Sequence, residues 1–235
     1  MKIYGHCGAL AYAPENTLES FELAFKMGSH GIENDIRMTL DKEIVAIHDA
    51  DTELRYGKKL VVEESTLAQL KELIAIDKFD GKYPGVRIPT LDQTYELMKK
   101  YPNTVIDVEL KAVGEAFLKR VLEVTEKYSM NDRAFYSTFE VPNLEWLHAN
   151  APHIPTAYLT VEGEIEPALK NGCVAVHPHF RSVDAEYVKR AHEAGLEVNV
   201  WTVDAPEHLL QMMEYGVDGI ITNKPDVALE LLKNK

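Results

Sequence analysis

Charged side chains recur at alternate positions in two strand-like segments of the sequence, residues 32–37 and 106–111. A period of two is typical of β-strands, because successive side chains point to opposite faces. Mostly apolar residues fill one face of each segment. The other face carries only charged residues, namely Glu33, Asp35, Arg37, Asp107, Glu109 and Lys111.

Two kinds of chemistry explain these charges. Ionised groups inside a fold are costly unless they are paired or bound to a metal. The oxygen-rich set Glu33, Asp35 and Glu109 suits one hard divalent cation, Mg²⁺ or Ca²⁺, which would polarise a phosphoryl oxygen. Alternatively, Arg37 and Lys111 neutralise the carboxylates in a salt-bridge network. The spacing alone leaves both open.

Two histidines end strand-like segments and are candidates for proton transfer. His6 ends the segment Ile3–His6, and His48 ends the segment Ile44–His48. Histidine exchanges protons near neutral pH, so one ring can act as base and the other as acid. A single histidine at a strand end is nevertheless more often structural.

Several other residues admit two interpretations. Trp201 belongs either to the core or to the lining of a pocket. His177 and His179 either line the mouth of the site or are exposed. Glu15 and Asn16 are interpreted as a turn residue and as the N-cap of the first helix, with Glu19 three residues after Asn16.

Strand-like and helix-like segments alternate along the whole chain. We predict eight strand zones, the second of them bent, at residues 3–6, 31–48, 104–111, 134–138, 156–160, 173–177, 196–203 and 219–222. Amphipathic segments with capping and stop residues separate them. We predict helices at 16–28, from 90 onward, and at 114–128, 142–149, 165–171, 184–194, 206–215 and 225–233.

This order predicts the fold. Eight strands, each followed by a helix, indicate a (β/α)₈ TIM barrel with its site at the carboxyl ends of the strands. No glycine-rich fingerprint supports the alternative, a doubly wound open sheet. Residues 50–88 exceed a normal strand-to-helix link, so we predict a small inserted subdomain after strand two within one domain, residues 1–235.

Composition excludes several classes of protein. The 235 residues include 25 Lys and Arg against 38 Asp and Glu, a net charge of −13. An acidic chain without a basic run is unlike a protein that binds nucleic acid or an anionic membrane. No membrane span, signal peptide or cysteine framework is evident, which favours the cytoplasm.

Ordered motifs connect the chain to a known family. They are Gly5–Ala9, Pro14–Thr17, Phe21–Phe25, Gly31–Ile36 with Thr39, His48-Asp49, Arg55, Ile88–Leu91, Val108–Lys111, Trp201–Val203 and Gly216–Thr222. Each motif is weak alone. Together and in this order they resemble the glycerophosphodiester phosphodiesterases over nearly the whole length, and the resemblance implies a barrel with an insertion after strand two.

The resemblance also implies a site. It would consist of His6, Glu33, Asp35, His48, Glu109, Lys111, Phe139 and Trp201. The histidines would be the acid–base pair, the carboxylates would bind the divalent metal, and the lysine would lie near the phosphate. The tryptophan and the phenylalanine would line the substrate groove.

The family hydrolyses small-molecule glycerophosphodiesters to glycerol 3-phosphate and an alcohol. The implied route is attack of the substrate's own 2-hydroxyl on phosphorus, followed by hydrolysis of a cyclic phosphate. A sphingomyelinase D-like enzyme, which releases a cyclic product from choline phospholipids, is an alternative on the same fold.

One residue departs from the family pattern. Cys7 follows the first histidine, where the family normally has an arginine that would hold a phosphate oxygen. Losing a hydrogen bond to a charged group costs about 1.5–3 kcal/mol, or roughly 10- to 150-fold in binding. Three hypotheses follow: a tolerated change with Arg37 supplying part of the charge, a changed substrate or a phosphate-ligand binder with little turnover, and a reactive thiol.

Overall fold

In the computed structural model, which describes residues 1–234, parallel strands close into a barrel with helices between them. The strands are β1 (Lys2–Gly5), β2 (Gly31–Met38), β3 (Ile44–Ala46), β4 (Val105–Leu110), β5 (Ala134–Thr138), β6 (Thr156–Thr160), β7 (Ala175–Pro178), β8 (Glu197–Val200) and β9 (Gly219–Thr222). The parallel ring runs β1-β9-β8-β7-β6-β5-β4-β2 and closes where β1 pairs with β2. The predicted (β/α)₈ barrel is confirmed.

Helices follow the strands. They are α1 (Leu18–Met27), α2 (Glu53–Tyr56), α3 (Leu67–Lys71), α4 (Leu91–Met98), α5 (Glu115–Lys127), α6 (Val141–Asn150), α7 (Glu166–Lys170), α8 (Ala185–Glu193), α9 (Pro206–Tyr215) and α10 (Pro225–Lys233). Within residues 1–234, no helix is both long enough and apolar enough to span a membrane.

The core lies between the strands and the helices, outside the barrel. Ile32, Ile36 and Val108 point outward from β2 and β4 and pack among buried side chains of the surrounding helices. Ile3 and Val176 do the same on the other half of the ring. Because side chains alternate along each strand, the residues between these positions point into the barrel.

The predicted cap of α1 is wrong. Thr17 is the N-cap, and its hydroxyl accepts a hydrogen bond from the backbone N–H of Ser20. Asn16 instead lies buried against Asp35. Asn and Thr are both good caps, and the tertiary partner decides between them.

The second strand zone is two strands and not one bent strand. β3 runs antiparallel to β2 and lies outside the parallel ring. It is followed by the predicted insertion at residues 50–88, which contains α2, α3 and a 3₁₀ turn at Val62–Glu64. Val62, Leu70 and Ile88 pack on Val45 of β3, which anchors this segment beside the barrel mouth.

The register between β2 and β4 determines which acidic side chains lie next to each other in the site. Glu33 is opposite Asp107, and Asp35 is opposite Glu109. Neighbouring parallel strands lie about 4.8 Å apart, so two layers of carboxylate pairs are stacked inside the barrel. The upper layer lies nearer the carboxyl ends of the strands.

Candidate active site

A cavity of about 340 Å³ opens at the carboxyl ends of the strands. It brings together residues from β2, β4, β5, β6 and β9 and from the segments that follow β1, β3, β4, β5 and β8. Its polar wall contains His6, Glu33, His48, Asp107, Glu109, Lys111 and Ser137. Phe139, Leu159, Trp201 and Ile221 form most of the apolar wall.

Three of the predicted carboxylates converge. One oxygen from each of Glu33, Asp35 and Glu109 lies within 4.8 Å of the other two. Lys111 Nζ lies 2.7 Å from Glu109 Oε1 and 3.5 Å from Asp35 Oδ1. Arg37 makes no such contact, because it donates to the backbone carbonyls of His48 and Lys111 at 3.0 and 3.1 Å. One lysine therefore faces three acids, so these contacts do not balance the negative charge of the three carboxylates.

Neighbouring groups fix two of these carboxylates. The Asn16 amide donates to Asp35 Oδ2 at 2.8 Å, and its oxygen accepts from the backbone N–H of Asp35 at 3.1 Å. The backbone N–H of Cys7 donates to Glu33 Oε2 at 2.9 Å. Glu33 Oε1 is buried and accepts no hydrogen bond from the described residues.

Burial and mutual repulsion perturb these acids. Burial, followed by the charges of Asp35 and other acids, raises the pKa of Glu33 well above its usual range and that of Glu109 to about 8. Burial acts in the same direction on Asp35. The charge of Lys111 and the hydrogen bond from Asn16 outweigh it, however, and lower the Asp35 pKa.

These observations fit a divalent cation. Two buried carboxylates and one partly buried carboxylate, together with a buried oxygen that has no hydrogen-bond partner among the described residues, form a set that a hard cation prefers. A cation would also relieve the repulsion that raises the pKa of Glu33 and Glu109. The donor set thus matches the predicted metal site.

His6 is oriented by residues that the sequence analysis did not identify. Its Nδ1 lies 2.7 Å from Asn223 Oδ1. The Asn223 amide nitrogen donates to Asp204 Oδ2 at 2.5 Å, which leaves the amide oxygen directed at the ring. His6 Nδ1 must therefore donate, and Nε2, which lies 3.9 Å from Glu33 Oε2, keeps its lone pair on the cavity side.

His48 has a different partner. Its Nδ1 lies 2.8 Å from a carboxylate oxygen of Asp49. A carboxylate accepts this bond, so Nδ1 carries a proton and Nε2 remains for the substrate. Nearly half of the His48 side chain is exposed at the rim, whereas His6 lies deeper.

Aromatic side chains form the opposite wall. Trp201 and Phe139 meet edge to face, with ring centroids 5.6 Å apart. The indole N–H of Trp201 donates to the carbonyl of His177 at 2.7 Å. Of the two interpretations of Trp201, pocket lining is correct, since its half-buried ring borders the cavity.

His177 neither lines the mouth nor is exposed. It is fully buried in the barrel, with Nδ1 3.2 Å from Asp107 Oδ2 and Nε2 2.9 Å from the Asn199 amide. Alternation around outward-facing Val176 would have predicted this inward position. His179, by contrast, is half-buried against Trp201.

Cys7 is buried, with Sγ 3.3 Å from Asp35 Oδ2. Burial and the charges of Glu33 and Asp35 raise the pKa of this thiol well above its usual range. A protonated, buried thiol is a poor nucleophile, so the geometry argues against the reactive-thiol hypothesis.

Comparison with known families gives one match over most of the chain. Residues 6–227 match the model of the glycerophosphoryl diester phosphodiesterase family. A glycerophosphodiester phosphodiesterase of Caldanaerobacter subterraneus is 30% identical, covering 98% of this chain and 97% of the relative. A Bacillus altitudinis protein of the same name is also 30% identical with the same coverage.

Solved structures agree on the fold. A glycerophosphoryl diester phosphodiesterase structure from Silicibacter pomeroyi superposes with a TM-score of 0.90 at 27% identity, covering 100% of this chain and 93% of that one. A phosphodiesterase of Oleispira antarctica, solved with the product sn-glycerol-3-phosphate, superposes with a TM-score of 0.93. Its identity is 24%, with 99% and 97% of the two chains covered.

Proposed function

The chain belongs to the glycerophosphoryl diester phosphodiesterase family and is an enzyme of that class, and on this basis we propose that it releases glycerol 3-phosphate from small glycerophosphodiesters by metal-assisted catalysis with two histidines. The observation that carries the proposal is the convergence of His6, His48, Glu33 and Glu109 on one cavity. Asp35 lies beside the two carboxylates, with one oxygen within 4.8 Å of an oxygen of each.

Glu33, Asp35 and Glu109 are the proposed ligands of one divalent cation. Their oxygen donors accept Mg²⁺ or Ca²⁺. When bound, the cation would polarise a phosphoryl oxygen and offset its negative charge. Lys111, anchored on Glu109 and Asp35, adds positive charge on the side of the cavity where a phosphate would lie.

His6 is the proposed base and His48 the proposed acid. The Asn223 amide oxygen accepts from Nδ1 of His6 and so holds the ring in the tautomer with a free Nε2. Asn223 is neutral, so it places no negative charge beside this ring. The Asp49 carboxylate holds the His48 ring through Nδ1 and places negative charge beside it. The two partners thus favour opposite roles for the two rings.

The first chemical step closes a ring. Nε2 of His6 accepts the proton of the substrate's 2-hydroxyl while that oxygen bonds to phosphorus. The bond from phosphorus to the alcohol oxygen breaks, and Nε2 of His48 donates its proton to this oxygen. The products of the step are a free alcohol and a cyclic phosphate.

The second step reverses the roles. His48 accepts a proton from water as the water oxygen bonds to phosphorus. The bond from phosphorus to the 2-oxygen breaks, and His6 returns its proton to that oxygen. Glycerol 3-phosphate forms, and both histidines regain their starting protonation states.

The remaining cavity residues would position the substrate. Trp201 and Phe139 present an apolar wall across from the carboxylates, which suits the carbon skeleton of a glycerol unit. Arg37 is held by the carbonyls of His48 and Lys111, so its charge acts from the rim.

The proposal is tested by measuring the release of glycerol 3-phosphate in the presence of Mg²⁺ or Ca²⁺. The substrates are glycerophosphocholine and glycerophosphoethanolamine. His6→Ala and His48→Ala should each reduce turnover by roughly 10²–10⁴-fold. His153→Ala, at an exposed histidine, is the matched control and should leave turnover unchanged. The proposal is contradicted if the folded wild-type protein releases no product with either metal. If the cyclic phosphate accumulates and glycerol 3-phosphate does not form, the protein is the sphingomyelinase D-like lyase.

Cys7 favours a second candidate function, a phosphate-ligand-binding barrel with little turnover. A thiol cannot supply the bidentate contact of an arginine. This candidate predicts thermal stabilisation by glycerophosphocholine without product, and a marked gain of turnover in Cys7→Arg.

A further inference from the structure

A second group of donors adjoins the three carboxylates. A ring nitrogen of His6, Sγ of Cys7 and a carboxylate oxygen of Glu33 lie within 4.8 Å of one another. Cys7 and Glu33 are almost completely buried, with 2% and 3% of their surfaces exposed. This group contains nitrogen, sulfur and oxygen, whereas the group of Glu33, Asp35 and Glu109 contains oxygen only.

The backbone holds these donors in place. Cys7, the second residue after β1, adopts a left-handed conformation with φ of 47°. Its N–H binds Glu33 Oε2 at 2.9 Å, and its sulfur lies on the same side, 3.3 Å from Asp35 Oδ2. Glu33 Oε1 is buried without a hydrogen-bond partner among residues 1–234, so the shared carboxylate has a donor atom to spare.

The separations suit a small, soft cation. Zn²⁺ forms bonds of about 2.0–2.3 Å to histidine, thiolate and carboxylate, which places tetrahedral ligand atoms roughly 3.3–3.8 Å apart. His6 Nε2 and Glu33 Oε2 are already 3.9 Å apart. Side-chain movements of about 1 Å or less would complete three protein ligands and leave a fourth position for water.

We propose that His6, Cys7 and Glu33 form a thiophilic metal site, for Zn²⁺ or a similar cation, that overlaps the catalytic cation site and inhibits the enzyme. The inference rests on the proposed function, since Glu33 is shared with the catalytic cation and His6 is the proposed base. Zn²⁺ takes the lone pair of His6 Nε2 and one carboxylate, and the Cys7 thiol releases its proton to solvent as sulfur binds.

The thiol of Cys7 is what makes this donor group thiophilic. An arginine would place a positive charge beside Glu33 and repel a cation. A cysteine removes that charge and adds a ligand that Zn²⁺ prefers and Mg²⁺ does not.

Co²⁺ absorption of the full-length protein tests the ligand directly. A thiolate bound to Co²⁺ gives a near-ultraviolet charge-transfer band, whereas oxygen and nitrogen ligands give only the visible bands. We expect the charge-transfer band in the wild type and in Cys173→Ser, which removes the other buried cysteine. We expect Cys7→Ser and Cys7→Ala to lose the band and keep visible Co²⁺ bands from the oxygen ligands.

Inhibition gives the second readout. Zn²⁺ added to the Mg²⁺-supported reaction should inhibit the wild type and Cys173→Ser alike. Cys7→Ser should require at least roughly 10- to 100-fold more Zn²⁺, the range that loss of even an outer partner costs a metal site. The Zn²⁺ inhibition of each protein is compared with its own Mg²⁺-supported rate.

Three outcomes overturn the inference: Co²⁺ binding to the wild type without a charge-transfer band, a band that persists in both Cys7 variants, or equal Zn²⁺ inhibition of wild type and Cys7→Ser. A wild type that shows the band but no Mg²⁺-supported hydrolysis supports the thiophilic ligands and contradicts the proposed function. The two failures are therefore distinguishable.

Discussion

Asn223 Oδ1 lies 2.7 Å from Nδ1 of His6, although 217 positions separate the two residues in sequence. β1 and β9 are neighbours in the barrel, with Gly5 in register with Thr222, and the residue after each strand end meets the other. Asp204 completes the arrangement by accepting from the Asn223 amide and from its backbone N–H.

Asn223→Ala should therefore impair catalysis without unfolding the protein. One neutral hydrogen bond contributes about 1 kcal/mol, so we expect kcat to fall by about 5-fold with KM nearly unchanged. Asp204→Asn should act in the same direction, because it loosens the Asn223 amide. Steady-state kinetics on glycerophosphocholine measure both effects, with Asn150→Ala, at an exposed position, as the control. A rise in KM with unchanged kcat would show that Asn223 contacts the substrate and not the base.

The inward-facing acids of β2 and β4 were predictable, because a period of two depends only on local geometry. Glu33, Asp35 and Glu109 converge as the alternation predicted. The order of strands and helices was equally local, since each amphipathic segment carries its own start and stop residues. Ends of strands were less accurate: β8 stops at Val200, short of the predicted position 203.

Contacts between distant segments were not predictable. Asn16 is a good cap by type, yet it binds Asp35 and leaves capping to Thr17. Asn223 follows the last barrel strand and has no local feature that connects it to His6. Such pairs depend on which strands become neighbours, and that is a property of barrel closure and not of any one segment.

A surface histidine links folding to pH. The backbone N–H of Ile3 donates to His30 Nδ1 at 3.0 Å, a contact that needs the neutral ring. Partial burial, followed by the charges of the N-terminus and Lys2, lowers the pKa of His30. Because the unfolded chain takes up this proton near pH 6.5 and the folded chain only at lower pH, stability is present above pH 6.5 and is lost as the pH falls below it.

His30→Asn should therefore reduce the loss of Tm between pH 7.5 and pH 5, because asparagine accepts the same hydrogen bond without titrating. Thermal unfolding followed by circular dichroism measures the change. His153→Asn, at another exposed histidine, should keep the wild-type profile. An unchanged profile in His30→Asn would assign the pH dependence to other groups.

Phe139 should contribute to substrate binding more than to stability. Its ring is 39% exposed and borders the cavity edge to face with Trp201. Phe139→Ala should raise KM by about 10-fold, equivalent to about 1.4 kcal/mol of binding, and leave kcat close to that of the wild type. Leu210→Ala removes an equally exposed apolar side chain from α9 and should change neither constant. Equal effects of the two substitutions would show that Phe139 has no special role.

Glu109 connects the proposed cation site to the stability of the protein. Burial and the charge of Asp35 raise its pKa to about 8, so without a cation this carboxylate is held in an unfavourable environment. Glu109→Gln keeps the shape and removes the charge. We expect the metal-free variant to be more stable by about 1 kcal/mol, equivalent to a Tm increase of about 2–4 °C for a chain of this size.

The same substitution should weaken the binding of Mg²⁺. Loss of one of three carboxylates should reduce Mg²⁺ affinity by more than the roughly 10- to 100-fold that an outer partner costs, and the stabilisation by added Mg²⁺ should shrink accordingly. Calorimetric unfolding with chelator and with Mg²⁺ measures both changes in one experiment. Glu115→Gln, on the exposed face of α5, should leave both unchanged. If Glu109→Gln instead lowers the Tm of the metal-free protein, the contact of Glu109 with Lys111 stabilises the fold by more than the desolvated charge destabilises it. The three acids would then form a salt-bridge network with Lys111, and no cation would be needed to balance their charge.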